Sequence, residues 1–299
     1  MRLTTALGSL LFLAAACSTE ATPPRDAAAR PDAPPDAEDP VDASLVDTAV
    51  ADAAEAGPPS IPRWLLTVEN SGVDNEVHRL LRVGVATSDY GMTREICANI
   101  TLPTTVPASN IISSLTFNQG RLLASGRGVE PGDTMFEIDP CTCTATVVGP
   151  YGYSFVPGIT SIGVDMFGIT TAADLVIGIN PMTAMGTSLG MLPGDWGTAG
   201  LSWSGPTRNS LLGISGADDT LVEFNPATGA VVGRPTTLDY DFGSVGMEYH
   251  PGMSTIYACS GEGNLLEVNA ATGRVTVGPM ISVGCNNLAA PFGNVDCVL

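Results

Sequence analysis

Glu223-Phe224-Asn225-Pro226-Ala227-Thr228-Gly229 decides the fold, because the chain writes the same phrase three more times: Glu137-Ile138-Asp139-Pro140-Cys141-Thr142-Cys143, Gly178-Ile179-Asn180-Pro181-Met182-Thr183-Ala184 and Glu267-Val268-Asn269-Ala270-Ala271-Thr272-Gly273. Positions 139, 180, 225 and 269 are 41, 45 and 44 residues apart, the period of a radial or stacked repeat rather than of one irregular core. Each phrase lies between apolar runs, as Leu221-Val222 before it and Ala230-Val231-Val232 after it. Asn or Asp followed by Pro sets up a type I turn, and Gly229 or Gly273 supplies the left-handed residue that returns the chain to a second strand. Each phrase is therefore a hairpin.

Short small-residue strands precede each hairpin: Ser114–Phe117, Ser161–Val164, Gly200–Trp203, Gly246–Tyr249 and Asn287–Ala290. A further strand follows each of the first four, at Leu122–Ser125, Phe167–Thr170, Leu211–Ile214 and Ile256–Cys259, bounded by Gly, Pro and Asn. Each unit is four strands. The last small-residue strand lacks successors, and its three partners lie at the other end, in Trp64–Val68, Leu80–Val83 and Thr93–Ile96. Joining them closes a ring and removes the free sheet edge, so the expected fold is an all-β, five-bladed β-propeller of four-stranded antiparallel blades. A parallel β-solenoid is the rival arrangement, but it needs no matching half-units at the two ends.

The Asp/Asn-Pro-x-Thr-Gly hairpin, with an inner strand about twenty residues earlier, resembles bacterial repeat propellers of the quinoprotein-like and YVTN-like kind. The resemblance covers residues 61–299, and Cys143 departs from it where Gly is expected. It implies a fold and no particular activity.

Residues 1–16 read as an export signal: Arg2, a short apolar run from Leu3, and small residues before Cys17. Leu13-Ala14-Ala15-Ala16-Cys17 resembles a bacterial lipobox, which implies that Cys17 is acylated and becomes the first mature residue. An ordinary cleaved signal with a chance cysteine is the alternative. Ser18 in place of Asp implies sorting to the outer membrane. Residues 17–62 are Ala-, Asp- and Pro-rich, with ten acidic residues against Arg25 and Arg30, and cannot bury a core; they read as a disordered tether. Residues 63–299 form the propeller domain.

The 299 residues include 31 acidic and 12 basic ones, the basic ones all arginine. Absence of lysine excludes a lysine Schiff base and a phosphate-binding loop lysine. Nine scattered arginines after residue 60 give no basic patch, so nucleic acid is not an expected partner. The expected partners are a membrane, through the lipid, and a carbohydrate or peptide ligand, with the protein a monomer. With Cys17 on lipid, six cysteines remain, and they permit 15 full disulfide pairings. Cys259, ending one strand, and Cys285, beginning the adjoining inner strand, are the best pair. Cys141 and Cys143 flank a turn without a nearby histidine or a second pair at zinc spacing, so no metal is expected there.

The ring register places two sets of loops on one face. Loops entering the inner strands carry Tyr151, Tyr153, Asp195, Trp196, Asp239, Tyr240, Asp241 and Asn287, with Phe155 and Phe242 beside them. Loops between the second and third strands of each unit carry Asp74, Glu76, Glu130, Asp133, Asp174, Asp218, Asp219 and Glu262. Rings beside carboxylates and amides suit a sugar or peptide, and carboxylates in a ring are able to hold Ca²⁺, although no Asp-x-Asp-x-Asp loop is present and no resident cofactor is expected. Glu248 is the one candidate channel carboxylate, opposite Thr116, Gly163, Ser202 and Ala289 on the other inner strands. His250 reads as a turn residue. No nucleophile elbow or Ser-His-Asp set is present, and no second inner-strand acid pairs with Glu248 for glycoside hydrolysis. The expected function is an exported, lipid-anchored binding or scaffold module on the cell envelope; the alternative is a propeller hydrolase acting on glycans or lactones.

Overall fold

The computed structural model describes residues 60–106, 111–127 and 132–298. The expected export signal, Cys17 and nearly all of the expected acidic tether lie outside the described residues, as does Glu130.

The strands form five sheets. Blade 1 holds β1 (Trp64–Ser71), β2 (Val77–Gly84) and β3 (Thr93–Cys97). Blade 2 holds β4 (Ile111–Asn118), β5 (Arg121–Arg127), β6 (Thr134–Asp139) and β7 (Thr144–Pro150). Blade 3 follows with β8 (Gly158–Ile162), β9 (Asp165–Thr170), β10 (Leu175–Ile179) and β11 (Gly186–Met191). Blade 4 comprises β12 (Ala199–Trp203), β13 (Leu211–Ser215), β14 (Thr220–Phe224) and β15 (Val231–Thr237), and blade 5 comprises β16 (Val245–His250), β17 (Thr255–Ser260), β18 (Asn264–Asn269) and β19 (Arg274–Met280). All pairings within the sheets are antiparallel. The inner strands β4, β8, β12 and β16 pack around a central axis.

Blade 1 obtains its fourth strand from residues far away in sequence. Leu66 and Ala289 exchange both backbone hydrogen bonds, at 2.8 and 2.9 Å. Asn287 reinforces the join: its Oδ1 accepts from Val68 N at 2.6 Å, and its Nδ2 donates to Val68 O and Ile112 O. The result is a five-bladed β-propeller, as the repeat spacing requires.

The repeated hairpins are built alike because their first residue organises its own turn. Asn225 Oδ1 accepts from Ala227 N at 2.8 Å, and Asp139, Asn180 and Asn269 accept from the equivalent N–H groups. The chain then passes through the left-handed region at Gly229 (φ 64°) and at Gly273, Ala184 and Cys143. Gly229 has a second reason to lack a side chain, since a Cβ there would strike the backbone of Gly190 on the outer strand of blade 3. Each such turn docks on the preceding blade: Gly273 against Thr237, Ala184 against Gly149, and Gly91 in the corresponding turn of blade 1 against Pro279. Cys143 follows the same rule with different chemistry. It is disulfide-bonded to Cys97 on β3, so the residue that departs from the repeat is the covalent version of its blade-to-blade contact.

The core is divided among the seams. One apolar cluster joins blades 1 and 2 through Leu66, Val68, Leu115 and Phe136, and four others join the remaining neighbours, with blades 5 and 1 meeting through Leu65, Val83, Tyr257 and Leu288. Each blade thus buries both faces against its neighbours, which is why β5, β13 and β17 are almost wholly buried while β15 and β19 are mostly exposed. Two further disulfides, Cys141–Cys297 and Cys259–Cys285, fasten segments on either side of the closing strand.

Candidate functional site

The face expected to carry an aromatic platform does not present one. Trp196 is buried, its ring filling the seam between blades 3 and 4 against Phe224 (centroids 5.7 Å apart) and its Nε1 donating to Pro193 O at 2.7 Å. Tyr151 is buried in the seam between blades 2 and 3. Asn287 is the buried clasp of the closing strand. The physical reason is common to all three: a chain crossing from the outer strand of one blade to the inner strand of the next passes over the gap between the sheets, and large side chains fill that gap. Tyr240 is half-buried against the seam between blades 4 and 5, with its hydroxyl 3.0 Å from Ser260 Oγ. Tyr153 is half-buried beside Gly186. Asp195, Asp239 and Asp241 are exposed; Asp195 Oδ1 accepts from Gly197 N within its own turn, and Asp239 Oδ1 accepts from Val275 N on β19 at 2.6 Å, tying its loop to the next blade.

Two carboxylates of that face hold the backbone of the neighbouring inter-blade loop. Asp133 is buried and accepts from Val156 N at 2.7 Å, and Asp219 accepts from Phe242 N. Among the described residues no three His, Cys, Asp or Glu side chains are grouped to hold a metal ion.

The opposite face holds a cleft of about 530 Å³ at the axis, lined by Phe117, Gln119, Gly120, Ser161, Gly163, Trp203, Phe292, Gly293, Asn294 and Val295. Its walls are the far ends of the inner strands of blades 2, 3 and 4 and the segment 291–298, which continues from the closing strand. Trp203 and Phe292 lie 6.2 Å apart and inclined at 35°, and Trp203 also meets Tyr249 edge-on at 5.3 Å. Trp203 Nε1 is satisfied by Asn209 Oδ1 at 3.2 Å. None of the lining residues is ionisable. The mouth offers two aromatic surfaces, the amides of Gln119 and Asn294 and the Ser161 hydroxyl.

Beneath the cleft, one residue back along the same strands, Glu248 occupies the axis. Thr116 Oγ1 donates to its Oε2 at 3.3 Å, Thr160 Oγ1 to its Oε1 at 3.4 Å, and Tyr249 N to Oε1 at 3.1 Å. Trp203 N donates in turn to Thr160 Oγ1, linking the cleft wall to the acid. The counterpart on blade 3 is thus Thr160 rather than Gly163. Strand β8 ends at Ile162 and Gly163 occupies the following turn at φ 63°, a slip of three residues from the expected register. Burial pushes the Glu248 carboxyl well above the usual range, against the opposing effect of the Tyr249 N–H and the Thr116, Thr160 and Ser202 hydroxyls. Among the described residues its hydrogen-bonding neighbours are hydroxyls and an N–H. His250, two residues on, ends β16 as a buried strand residue rather than forming the turn. Desolvation lowers its pKa to about 4, against the raising effect of the backbone groups of Trp64, His250 and Pro62.

A carboxyl that is neutral in the fold and ionised in the unfolded chain makes stability depend on pH in a fixed direction. The folded protein holds the proton more tightly, so Glu248 costs stability as pH rises from about 4.5, the ordinary glutamate value, through its raised folded value. Glu248→Gln keeps the shape without the charge. The variant should melt increasingly above the parent between pH 5 and pH 8, at about 2–4 °C for each kcal/mol recovered in a domain of this size. Parallel melting curves across that range would show that Glu248 is ionised in the fold.

No protein-family model matches the chain, and no curated protein matches it. Among solved structures the chain is similar to Myxococcus xanthus glutaminyl cyclase, at 18% identity over 60% of this chain and 70% of that one with a TM-score of 0.44. It is similar also to a chain of a nidogen/laminin complex, at 11% identity over 76% and 97% with a TM-score of 0.47. A third likeness is to virginiamycin B lyase from Staphylococcus aureus, at 11% identity over 77% and 75% with a TM-score of 0.45. At these values the likenesses carry no argument about activity or ligand.

Proposed function

We propose that this chain is an exported, lipid-anchored propeller that binds an uncharged carbohydrate in the axial cleft formed with segment 291–298. The observation that carries the reading is the composition of the cleft: Trp203 and Phe292 present aromatic surface, Gln119, Asn294 and Ser161 present hydrogen-bonding groups, and no charge is present to favour an ionic ligand. Sugar rings offer apolar C–H faces to aromatic surfaces and hydroxyls to amides, and a concave, mostly apolar site with few polar groups is the usual form of a small-ligand pocket. Three disulfides are compatible with an extracytoplasmic protein. The lipobox-like stretch ending at Cys17 supports anchoring, and the acidic tether supports a domain held away from the membrane surface. Glu248 lies under the cleft as a buried, hydrogen-bonded acid whose pKa burial raises, with hydroxyls and an N–H as its neighbours, which supports a binding reading.

The test is binding of the full-length protein in detergent to an array of neutral and acidic oligosaccharides and short peptides. Neutral glycans should bind, and Trp203→Ala should weaken them about tenfold, the value of one aromatic contact of roughly 1–1.5 kcal/mol. Binding only to peptides or acidic glycans, or binding indifferent to Trp203→Ala, would overturn the ligand assignment. In the same preparation Cys17→Ser should move the protein out of the membrane fraction, since a lipid anchor needs the thiol.

A further inference from the structure

The three disulfides differ in where they sit and what they hold. Cys259 and Cys285 are both fully buried, and Cys97, bonded to Cys143, is buried as well. Cys141 and Cys297 are both exposed. Their bond joins the β6–β7 turn of blade 2 to segment 291–298, which supplies Phe292, Gly293, Asn294 and Val295 to the cleft.

Otherwise that segment is held by packing rather than by hydrogen bonds. Beyond the Leu66–Ala289 pair, its one backbone hydrogen bond is internal, from Val298 N to Val295 O, and among the described residues no hydrogen bond ties residues 291–298 to the blades. Apart from the disulfide, it is fastened to the rest of the ring by packing: Val298, which is buried, and Val295 lie on the seam between blades 1 and 2, and Phe292 lies against Trp203. One wall of the cleft is therefore held by packing and by one covalent bond between two exposed cysteines.

We propose that Cys141–Cys297 is a thiol-cleavable latch, and that its reduction by an external dithiol frees segment 291–298 and opens the axial cleft. The exchange is balanced. A thiolate of the dithiol attacks one cysteine sulfur, the other leaves as a thiolate and takes up a proton, and the second thiol of the reductant then displaces the first cysteine. The reductant ends as a disulfide, having passed two electrons to Cys141 and Cys297, which end as thiols. Exposure directs attack to this bond, because the attacking sulfur needs a path to the disulfide: both of its cysteines are exposed, whereas Cys97–Cys143 has one buried and one half-buried cysteine and Cys259–Cys285 has two buried ones. The consequence for ligand rests on the reading of the cleft as a binding site; the latch itself does not.

The experiment is limited reduction of the full-length protein with dithiothreitol, followed by alkylation with iodoacetamide and peptide mass mapping. Cys141 and Cys297 should be labelled at least tenfold faster than Cys97, Cys143, Cys259 and Cys285. The selectively reduced protein should then be cut by chymotrypsin after Phe292 at least tenfold faster than the oxidised one. Its Trp203 emission, isolated by difference against Trp203→Phe, should change as Phe292 departs. Labelling of the three bonds at one rate, or cleavage and emission unaltered by selective reduction, would overturn the latch. The Cys141→Ser/Cys297→Ser double variant should reproduce the reduced state without any reductant. If that variant fails to fold, selective reduction of the parent protein still decides. Absence of glycan binding in both redox states, with the cleavage and emission changes present, supports the latch and counts against the ligand class alone.

Discussion

Removing residues 285–299 is expected to unfold the domain. The deletion takes away Ala289, which exchanges two backbone hydrogen bonds with Leu66, and Asn287, whose side chain holds Val68 and Ile112. It also strips Leu288 and Ala290 from the seam between blades 5 and 1, and half of both the Cys141–Cys297 and Cys259–Cys285 bonds. Blade 1 would be left with a bare edge along β1, whose first six residues are buried, and an exposed apolar edge is a template for aggregation. Loss of a native disulfide alone costs about 2–5 kcal/mol, and two of them together with a strand exceed much of the 5–15 kcal/mol that holds a typical domain folded. Thermal denaturation and size-exclusion chromatography would check it. A truncated protein that remains monomeric with an unchanged Tm would mean that the end-to-end pairing does not hold the ring.

Trp196→Ala should cost about 3–5 kcal/mol, the range for truncating a fully buried Trp or Phe. The ring lies against Phe224 and beside Ile169 and Gly213, and Gly213 lacks a side chain where the indole approaches it. The cavity would open between two blades that are each held at their inner strands and so cannot close fully upon it. The indole Nε1 bond to Pro193 O is lost as well, leaving that carbonyl to find another donor. Chemical denaturation of the two proteins measures the difference. A loss below about 1 kcal/mol would return Trp196 to the surface and revive the platform that its loop position suggests.

These two expectations mark the border between what is legible in the chain and what is not. The hairpins are legible because their chemistry is local. Asn225 bonds to the N–H two residues on, Gly229 accepts a left-handed backbone, and neither needs anything distant to do so. Repetition then multiplies a weak signal into a blade count, and the unmatched half-units at Trp64 and Leu288 identify the closure, because an open edge is costly wherever it occurs. The position of Cys259 at the end of one strand and Cys285 at the start of its neighbour follows from the same register.

Burial at the loops is a different matter. Trp196 and Tyr151 sit in Gly- and Pro-rich stretches that look solvent-facing, and only the packing of two sheets a blade apart turns their rings inward. The same holds for Cys97–Cys143 and Cys141–Cys297. Two cysteines of one turn, separated by Thr142, reach partners 46 and 156 residues away in sequence, and no rule of spacing selects those among the 15 pairings. Gly163 and Thr160 are separated by a slip of three residues in a stretch whose small and apolar residues fit either register, until β9 pairs with β8 and Thr160 is brought to Glu248. The cleft is the clearest case. Phe117, Ser161, Trp203 and Phe292 lie on four separate repeats or segments, each unremarkable where it stands, and they become one site because strands radiating from a common axis bring their ends together at its mouth. Turn and strand are properties of neighbouring residues, whereas a surface made by convergence exists only once the ring has closed.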